Sequence, residues 1–263
     1  MNFKVMTYNI RRIYHEKKGD YFYWDNRKEK VAETIMKFEP DILGLQESSW
    51  KQVCDFKKLL PDKYEVTALS FIFQDSIIYN KERFKPCLSW MLILRPLYRW
   101  AYVVKFYDKI ENKKFYFCNT HLHPGALPVD EDKRVYGVNI ILKSLKKYTD
   151  KYPVILTGDF NSTWYEIPYK IVNESFLHDS IVIPYNPKTS DCSAVGDTQL
   201  ADVEGHIDHI FINNKFESIA DWITWSIDED QWKYTDPVGI KRFASDHLGK
   251  IIEVTYQLHK EEK

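Results

Sequence analysis

The sequence predicts an α/β fold in which two β-sheets pack face to face and helices cover their outer surfaces. Two observations predict it. Short apolar runs typical of strands outnumber the amphipathic helical patterns, and the connections between them mix tight hairpins with long crossovers. The 263 residues contain no proline- or glycine-rich linker, so we expect a single domain over residues 1–263.

The first half of the chain alternates strand and helix patterns and then turns to successive strands. The first helix is predicted from Val31, Ile35 and Phe38, which recur at helical spacing. The Glu111-Asn112-Lys113 turn joins the last two strands and predicts an antiparallel hairpin. The predicted elements, in order, are a strand ending at Asn9, a helix ending before Pro40, a strand over 41–47, a helix ending before Pro61, and strands over 64–69, 76–79, 88–94, 100–107 and 114–120.

The second half begins with the clearest helix. Val135, Val138, Leu142 and Leu145 share one face, the first turn is acidic and the end is lysine-rich, which predicts an amphipathic helix over 130–148. The remaining predicted elements are a strand over 153–159, a short helix over 167–173, an irregular polar stretch over 184–204, a strand over 206–212 and a final strand over 250–258.

Charge and targeting features narrow the function classes. Lysine plus arginine number 37 against 38 for aspartate plus glutamate, so the chain lacks the basic excess typical of tight nucleic-acid binding. A local basic rim or a bound Mg²⁺ could still serve a nuclease. No secretory signal precedes the first strand, and Arg95 and Pro96 interrupt the longest apolar stretch. We therefore expect a cytoplasmic protein without a membrane anchor, and a monomer.

Polar side chains repeatedly follow the apolar strand runs. These places are Asn9, Glu47, Asn119–His121, Asp159–Asn161, Asp208 and Asp246–His247. A buried strand delivers its last side chain to the sheet rim at a fixed position, so several such ends can build one rigid polar pocket. Phosphoester hydrolysis needs neutralised phosphoryl oxygens, an aligned water and a stabilised leaving oxygen. The pattern therefore predicts metal-assisted hydrolysis.

Each of these tasks has candidate residues. Mg²⁺ prefers hard oxygen ligands, whereas a carboxylate or amide can orient a water and an imidazole can donate hydrogen bonds to a phosphate. The candidates are Glu47, Asn9 and Asp246 for the metal, Asp159 and Asn161 for the water, His121 and His247 for the phosphate, and Asp208 for the tautomer of one imidazole.

Residues of this set, taken singly, also fit ordinary structural roles. An Asp after an apolar run is commonly a helix cap or a turn former. His121 and His123 would share one face of a strand and could bind zinc, but no further Asp-His pair completes a binuclear site. The rival from another class is a non-catalytic binding module. A module without turnover gains nothing from an unsatisfied cluster of carboxylates, which argues against it.

The motifs resemble those of the endonuclease/exonuclease/phosphatase superfamily, in the same order and over essentially the whole chain. They are MTYNIR (6–11), WDNR (24–27), PDILGLQE (40–47), NTH (119–121), GDFN (158–161), IDH (207–209) and SDH (245–247). The resemblance implies a four-layer α/β sandwich of two mixed sheets flanked by helices, with the active site at one end.

The resemblance also implies residue roles. They are metal binding by Glu47 with Asn9 and Asp246 close to the metal or the phosphate, water alignment by Asp159, phosphate contact by Asn161 and His121, and transition-state stabilisation by His247 paired with Asp208. Departures from the family pattern concern substrate recognition. Arg95 and Arg99 compete for a substrate-facing arginine, the 69–76 connection is short, and His209 replaces a frequent tyrosine.

The sequence therefore predicts a Mg²⁺-dependent phosphoester hydrolase that works by in-line attack of water, with Mn²⁺ as the alternative metal. The neutral charge balance and an aromatic rim favour a small phosphorylated molecule or a phospholipid head group as substrate. A nuclease acting on DNA or RNA is the alternative within the same class.

Overall fold

The structure is a computed structural model that describes residues 1–13, 16–20, 22–67, 74–95, 99–180, 206–223, 233–235, 237, 239 and 241–257. Its helices are α1 (Trp24–Phe38), α2 (Trp50–Leu59), α3 (Pro128–Thr149) and α4 (Ile167–Asn173). Its strands are β1 (Phe3–Asn9), β2 (Ile42–Gln46), β3 (Tyr64–Val66), β4 (Ile77–Asn80), β5 (Phe84–Arg95), β6 (Arg99–Asp108), β7 (Lys113–His121), β8 (Val154–Asp159), β9 (Leu177–Asp179), β10 (Asp208–Asn213), β11 (Phe216–Ile223), β12 (Lys233–Thr235), β13 (Lys241–Phe243) and β14 (Lys250–Tyr256).

Two mixed sheets of six strands each contain most of these strands. Their strand orders are β11-β14-β1-β2-β4-β3 and β5-β6-β7-β8-β10-β9, while β12 and β13 pair separately. Each large sheet holds one parallel pair, β1 with β2 and β7 with β8. The crossovers between these parallel strands run through α1 and α3, because a parallel pair cannot be joined by a hairpin.

Alternate residues of the central strands face two different cores, as the period of a strand requires. Along β1, Val5 belongs to the core between the sheets and Met6 to the core shared with α1 and α2. Along β6, Val104 lies between the sheets and Val103 packs in the core that includes α3 residues. Helices, sheet, sheet and helices therefore form four layers, which confirms the predicted sandwich.

The predicted elements differ from the structure mainly in their strands. The β6–β7 hairpin pairs antiparallel, as predicted. In contrast, β5 starts at Phe84, four residues before the predicted start, and its register shifts between Pro86 and Leu88. Strand β11 was not predicted, because a bulge between Ser218 and Ala220 breaks the two-residue alternation. Nor was β9, which has three residues. Residues 68, 69, 184–204 and 258 of the predictions lie outside the described residues.

The topology explains why polar residues distant in sequence meet. Because β7 and β8 are parallel, their carboxyl ends reach the same edge, and His121 pairs with Asp159. Asn9 pairs with Gln46 at the corresponding edge of the other sheet. The antiparallel strand β10 starts at that edge, since its first residue, Asp208, pairs with Asp159. We call this edge of the sandwich the site end. None of the helices α1 to α4 is long and apolar enough to cross a bilayer.

Candidate active site

His247 is held between two carboxylates. Its Nδ1 lies 2.7 Å from Asp208 Oδ2, and its Nε2 lies 3.7 Å from Asp159 Oδ2. Burial by itself would lower the pKa of His247, but the charges of Asp208 and Asp159 outweigh it and raise that pKa well above its ordinary value. The raised pKa favours the imidazolium form of the ring, in which Nδ1–H is donated to Asp208.

Asp159 ends β8 and is 1% exposed. Its Oδ1 accepts the backbone N–H of Asn161 at 2.8 Å, and its Oδ2 accepts a hydrogen bond from Asn9 Nδ2 at 2.9 Å. The His121 Nε2 lies 3.5 Å from the same Oδ2. Burial raises the pKa of Asp159 above that of an ordinary aspartate. A carboxylate of raised pKa is a better proton acceptor, which suits a group that activates water.

Two residues determine the backbone at the end of β8 and in the turn after it. A Cβ at Gly158 would lie 2.1 Å from the backbone oxygen of Thr120, so only glycine allows β7 and β8 to approach this closely. Asn161 has a φ of 47°, and its Nδ2 donates to the backbone oxygen of Leu122 at 3.1 Å. The turn thus fixes Asn161 beside the end of β7.

Glu47 follows β2 directly and has a left-handed backbone, with a φ of 59°. Its Oε2 accepts the backbone N–H of Arg12 at 3.0 Å. Burial would raise the pKa of Glu47, but the charge of His121 and this hydrogen bond outweigh it and hold the pKa below its ordinary value. Glu47 is therefore an ionised carboxylate that keeps capacity for further ligands.

Asp246 forms an ion pair that the sequence patterns did not predict. Arg11 Nη1 lies 2.8 Å from Asp246 Oδ2, and the Arg11 backbone N–H donates to Asn9 Oδ1 at 3.0 Å. The burial of Asp246 is outweighed by the charges of His247 and Arg11, so its pKa is held below the ordinary value. Arg11 follows Asn9, the last residue of β1, by two positions, and this closeness to a strand end could have identified it as a site residue.

Arg99, at the start of β6, lies beside His121. Its Nε donates to the backbone oxygen of Leu122 at 3.1 Å. Burial, and then the Arg99 charge, lower the pKa of His121, although Asp159 acts in the opposite direction. Of the two competing arginines the structure thus brings Arg99 to the site, whereas the side chain of Arg95 lies outside the described residues.

Asp75 is a second site residue that sequence reasoning missed. It is 4% exposed, and its carboxyl accepts the backbone N–H of Glu47. Burial raises the pKa of Asp75 to about 8, with the Arg99 charge opposing. It is therefore mostly a neutral acid at pH 7. Asp75 precedes β4, so a search for residues at strand ends overlooks it.

The alternative of a zinc site on alternating histidines is wrong. β7 ends at His121, so His123 does not share a strand face with it. Instead, His123 Nε2 lies 3.0 Å from Asp130 Oδ1. Among the described residues, the one group of at least three side chains whose ligand atoms all lie within 4.8 Å of one another is Asp159, Asp208 and His247.

A sandwich of two mixed sheets that gathers carboxylates, amides and imidazoles at one end offers the groups that metal-assisted phosphoester hydrolysis requires. The sequence matches the model of the Endonuclease/Exonuclease/phosphatase family over residues 6–247, and the chain belongs to this family. Enzymes of this family hydrolyse phosphoester bonds and depend on a divalent metal.

Solved structures share the fold over nearly the full chain. An endonuclease/exonuclease/phosphatase family protein from Bacteroides thetaiotaomicron superposes with a TM-score of 0.83 at 22% identity, covering 98% of this chain and 99% of that one. A mannosyl-6-phosphatase from the same organism gives 0.81 at 21% identity, covering 97% and 100%. The human Nocturnin catalytic domain gives 0.72 at 21% identity, covering 97% and 95%. At such identities the likeness concerns the fold.

One curated relative also matches by sequence. Protein angel from Drosophila melanogaster is 24% identical over 195 residues, which are 61% of this chain. The match spans 52% of the length of Protein angel, about half of that protein.

Proposed function

We propose that this protein is a Mg²⁺-dependent hydrolase that removes phosphate from a small, hydroxylated organic molecule. The observation that carries the proposal is the charge arrangement at the site end. Ionised Glu47 and Asp246 lie there together with the raised-pKa carboxylate Asp159 and the imidazolium of His247. Anionic, basic and cationic groups are what in-line hydrolysis of a phosphoester needs in one place.

Glu47 and Asp246 are the residues that would hold the cation, with Asn9 beside them. Carboxylate oxygens are the ligands that Mg²⁺ and Mn²⁺ prefer. We assign the cluster of Asp159, Asp208 and His247 to the water and the phosphate, because His247 Nδ1 already pairs with Asp208 Oδ2, 2.7 Å away. When bound, the cation supplies positive charge to the phosphoryl oxygens.

The other side chains act on the water and the phosphate. Asp159 orients the attacking water and accepts its proton, helped by its raised pKa. His247 donates Nε2–H to the phosphate as negative charge develops, and Asp208 fixes the orientation of that ring. The remaining contacts to the phosphate come from Asn161, His121 and Arg99.

The substrate class is supported by the charge balance and by one structural neighbour. Lysine and arginine do not outnumber aspartate and glutamate, so the chain lacks a general attraction for polyanions. The mannosyl-6-phosphatase neighbour acts, by its name, on a sugar phosphate. A nuclease is the second candidate, because Arg11 and Arg99 give the site end a local basic rim. In addition, D. rerio TDP2, which shares the fold with a TM-score of 0.72 at 17% identity, was solved with a single-strand DNA product.

A substrate panel tests the proposal. The purified chain is assayed for phosphate release from hexose phosphates, glycerol phosphate, nucleotides and phospholipid head groups, and for cleavage of single-stranded DNA and RNA. We expect release from small esters with Mg²⁺ and none with excess EDTA. Glu47→Gln and Asp159→Asn should each lower kcat/KM by about 10²-fold or more.

The matched control is Glu253→Gln on β14, which removes a carboxylate paired with Asn2 far from the site end. This variant should keep wild-type activity. Full activity of Glu47→Gln and Asp159→Asn, or activity that resists EDTA, would overturn the proposal. Cleavage of DNA or RNA without hydrolysis of any small ester would favour the nuclease.

A further inference from the structure

Exposed apolar side chains collect near the start of α3 and of α4. We call them the rim patch, and they are Leu127 (64% exposed), Val129 (52%), Trp164 (50%), Tyr165 (58%) and Ile167 (52%). Single exposed apolar residues are common on protein surfaces, but several large ones together mark a binding surface. A tryptophan that is half exposed is the most unusual member.

The rim patch borders the site end. The two loops that carry it begin at site residues, since one follows His121 and the other follows Asn161. Trp164 is three residues from Asn161, so their Cα atoms are within about 11 Å of each other. The backbone N–H of Ile167 donates to Glu131 Oε1 at 3.1 Å, which joins the start of α4 to the first turn of α3.

Hydrogen bonds and an ion pair of a buried arginine in α3 hold the same loops in place. Arg134 is 2% exposed, and its Nη1 donates to the backbone oxygen of Gly125 at 2.6 Å. Its Nη2 lies 3.6 Å from Glu166 Oε1, while Glu166 Oε2 accepts the backbone N–H of Thr163 at 2.6 Å. A surface held in place in this way binds a ligand without a further ordering cost.

The chemistry of the rim patch suits one kind of ligand. Trp164 and Tyr165 contact edge to face, with ring centroids 5.6 Å apart, and exposed aromatic faces pack against the apolar face of another ring. The exposed acidic side chain beside the patch is Asp132, because Asp130 is buried against Lys133 and Glu131 accepts the Ile167 backbone N–H. An exposed carboxylate accepts hydrogen bonds from hydroxyl groups, so this side of the patch suits a hydroxylated ligand.

We propose that the rim patch is a subsite for the alcohol portion of the ester, and that this portion is a neutral, hydroxylated ring such as a hexose. The proposal rests on the proposed function, because the alcohol bound there is the leaving group of the phosphoester. Water adds to phosphorus and passes a proton to Asp159, the bond between phosphorus and the ester oxygen breaks, and the departing alcohol oxygen takes up a proton from solvent water.

Steady-state kinetics with two substrates test the subsite. Trp164→Ala and Tyr165→Ala are compared with wild type on a hexose 6-phosphate and on glycerol phosphate, which has hydroxyl groups but no ring. Loss of the aromatic contacts should raise KM for the hexose phosphate by about tenfold. The value of kcat and the kinetics with glycerol phosphate should not change. Trp164→Phe should restore most of the affinity.

The matched control is Tyr136→Ala, since Tyr136 is 61% exposed on α3 outside the rim patch. It should leave KM unchanged for both substrates. Equal effects of Trp164→Ala on both substrates, or no effect on either, would overturn the proposal. So would a loss of binding to single-stranded DNA, or to phosphatidylserine vesicles, in Trp164→Ala with hexose phosphate kinetics intact.

A binding measurement separates this proposal from the proposed function. Titration of the wild type with a free hexose should change its tryptophan fluorescence, and the change should be absent in Trp164→Phe. If no small ester is hydrolysed but the fluorescence change occurs, the proposed function fails and the subsite stands. If hexose phosphate is hydrolysed but neither fluorescence nor KM depends on Trp164, the subsite fails alone.

Discussion

Both ends of the sandwich bury charged side chains, but the two ends neutralise these charges in different ways. At the end opposite the site, Arg83 and Asp108 are nearly fully buried, with Nη2 3.0 Å from Oδ2. Tyr256 also donates to that oxygen, and the backbone N–H of Ile110 donates to Oδ1 at 3.0 Å. The opposite charges of one arginine and one carboxylate thus neutralise each other within the protein, without any ligand.

The site end gathers more carboxylates than it pairs with cations of its own. Glu47, Asp159, Asp208 and Asp246 lie there, where Arg11 pairs with Asp246 and the imidazolium of His247 is shared between Asp159 and Asp208. Grouping like charges in a partly buried place costs stability unless a ligand compensates them. Buried charge by itself therefore does not mark a functional site, whereas an excess of one sign at a sheet edge does.

Replacing one carboxylate at the closed end, where Arg83 and Asp108 pair, should have the largest effect. Asp108→Asn leaves Arg83 buried without its counter-charge, so we expect the free energy of unfolding to fall by about 3–5 kcal/mol. Urea denaturation measures the loss. The double variant Arg83→Met with Asp108→Leu removes both charges and should lose less. A tenfold loss of kcat/KM in folded Asp108→Asn would blur the distinction between the two ends.

A change of the same type at the site end should act on activity instead. Asp208→Asn keeps the shape of the side chain but weakens its hold on His247 Nδ1, 2.7 Å away. We expect kcat/KM to fall by about 10²-fold, equivalent to about 2.7 kcal/mol. The pKa of His247 should also fall, visible as a shift in the pH dependence of kcat/KM. Activity within threefold of wild type would show that Asp208 does not position the ring.

Where the two sheets meet beneath the site, stability depends on close packing rather than on charge. A Cβ at Gly44 would lie 2.4 Å from Asn119 Oδ1 and 2.5 Å from Thr157 Oγ1. Gly44→Ala must displace these buried groups, so we expect a loss of about 1–3 kcal/mol in thermal unfolding. Gly137→Ala in helix α3 is the control, because its Cβ would lie 3.3 Å from the tip of Leu122 and 3.7 Å from Leu94, so it displaces no backbone and no polar group. If Gly44→Ala proves no less stable than Gly137→Ala, the sheets are not closely packed there.

Sequence reasoning reached the residues whose positions follow from strand geometry. Asn9, His121 and Asp159 end strands, so their convergence could be expected from apolar runs and parallel pairing. The packing of two sheets with helices outside followed from the strand and helix patterns, the motif resemblance added that the sheets are mixed, and both are confirmed. In contrast, Asp75 precedes a strand and reaches Glu47 through a tertiary hydrogen bond that has no local signature. The ion pair between Arg11 and Asp246 joins residues 235 positions apart, and periodicity gives no information on such contacts.

The smallest expected effect concerns stability at the site end. Burial raises the pKa of Asp159, so the folded state binds its proton more tightly than the unfolded state does. Stability contributed by this proton is present at low pH and is lost as pH rises from the unfolded value of about 3.9 through the folded pKa. Asparagine does not ionise, so Asp159→Asn does not lose this stability as the pH rises. In excess EDTA at pH 7, the variant should therefore unfold at the wild-type temperature or slightly above it. A clear destabilisation at pH 7, like that expected for Asp108→Asn, would mean that the carboxylates at both ends contribute to stability in the same way.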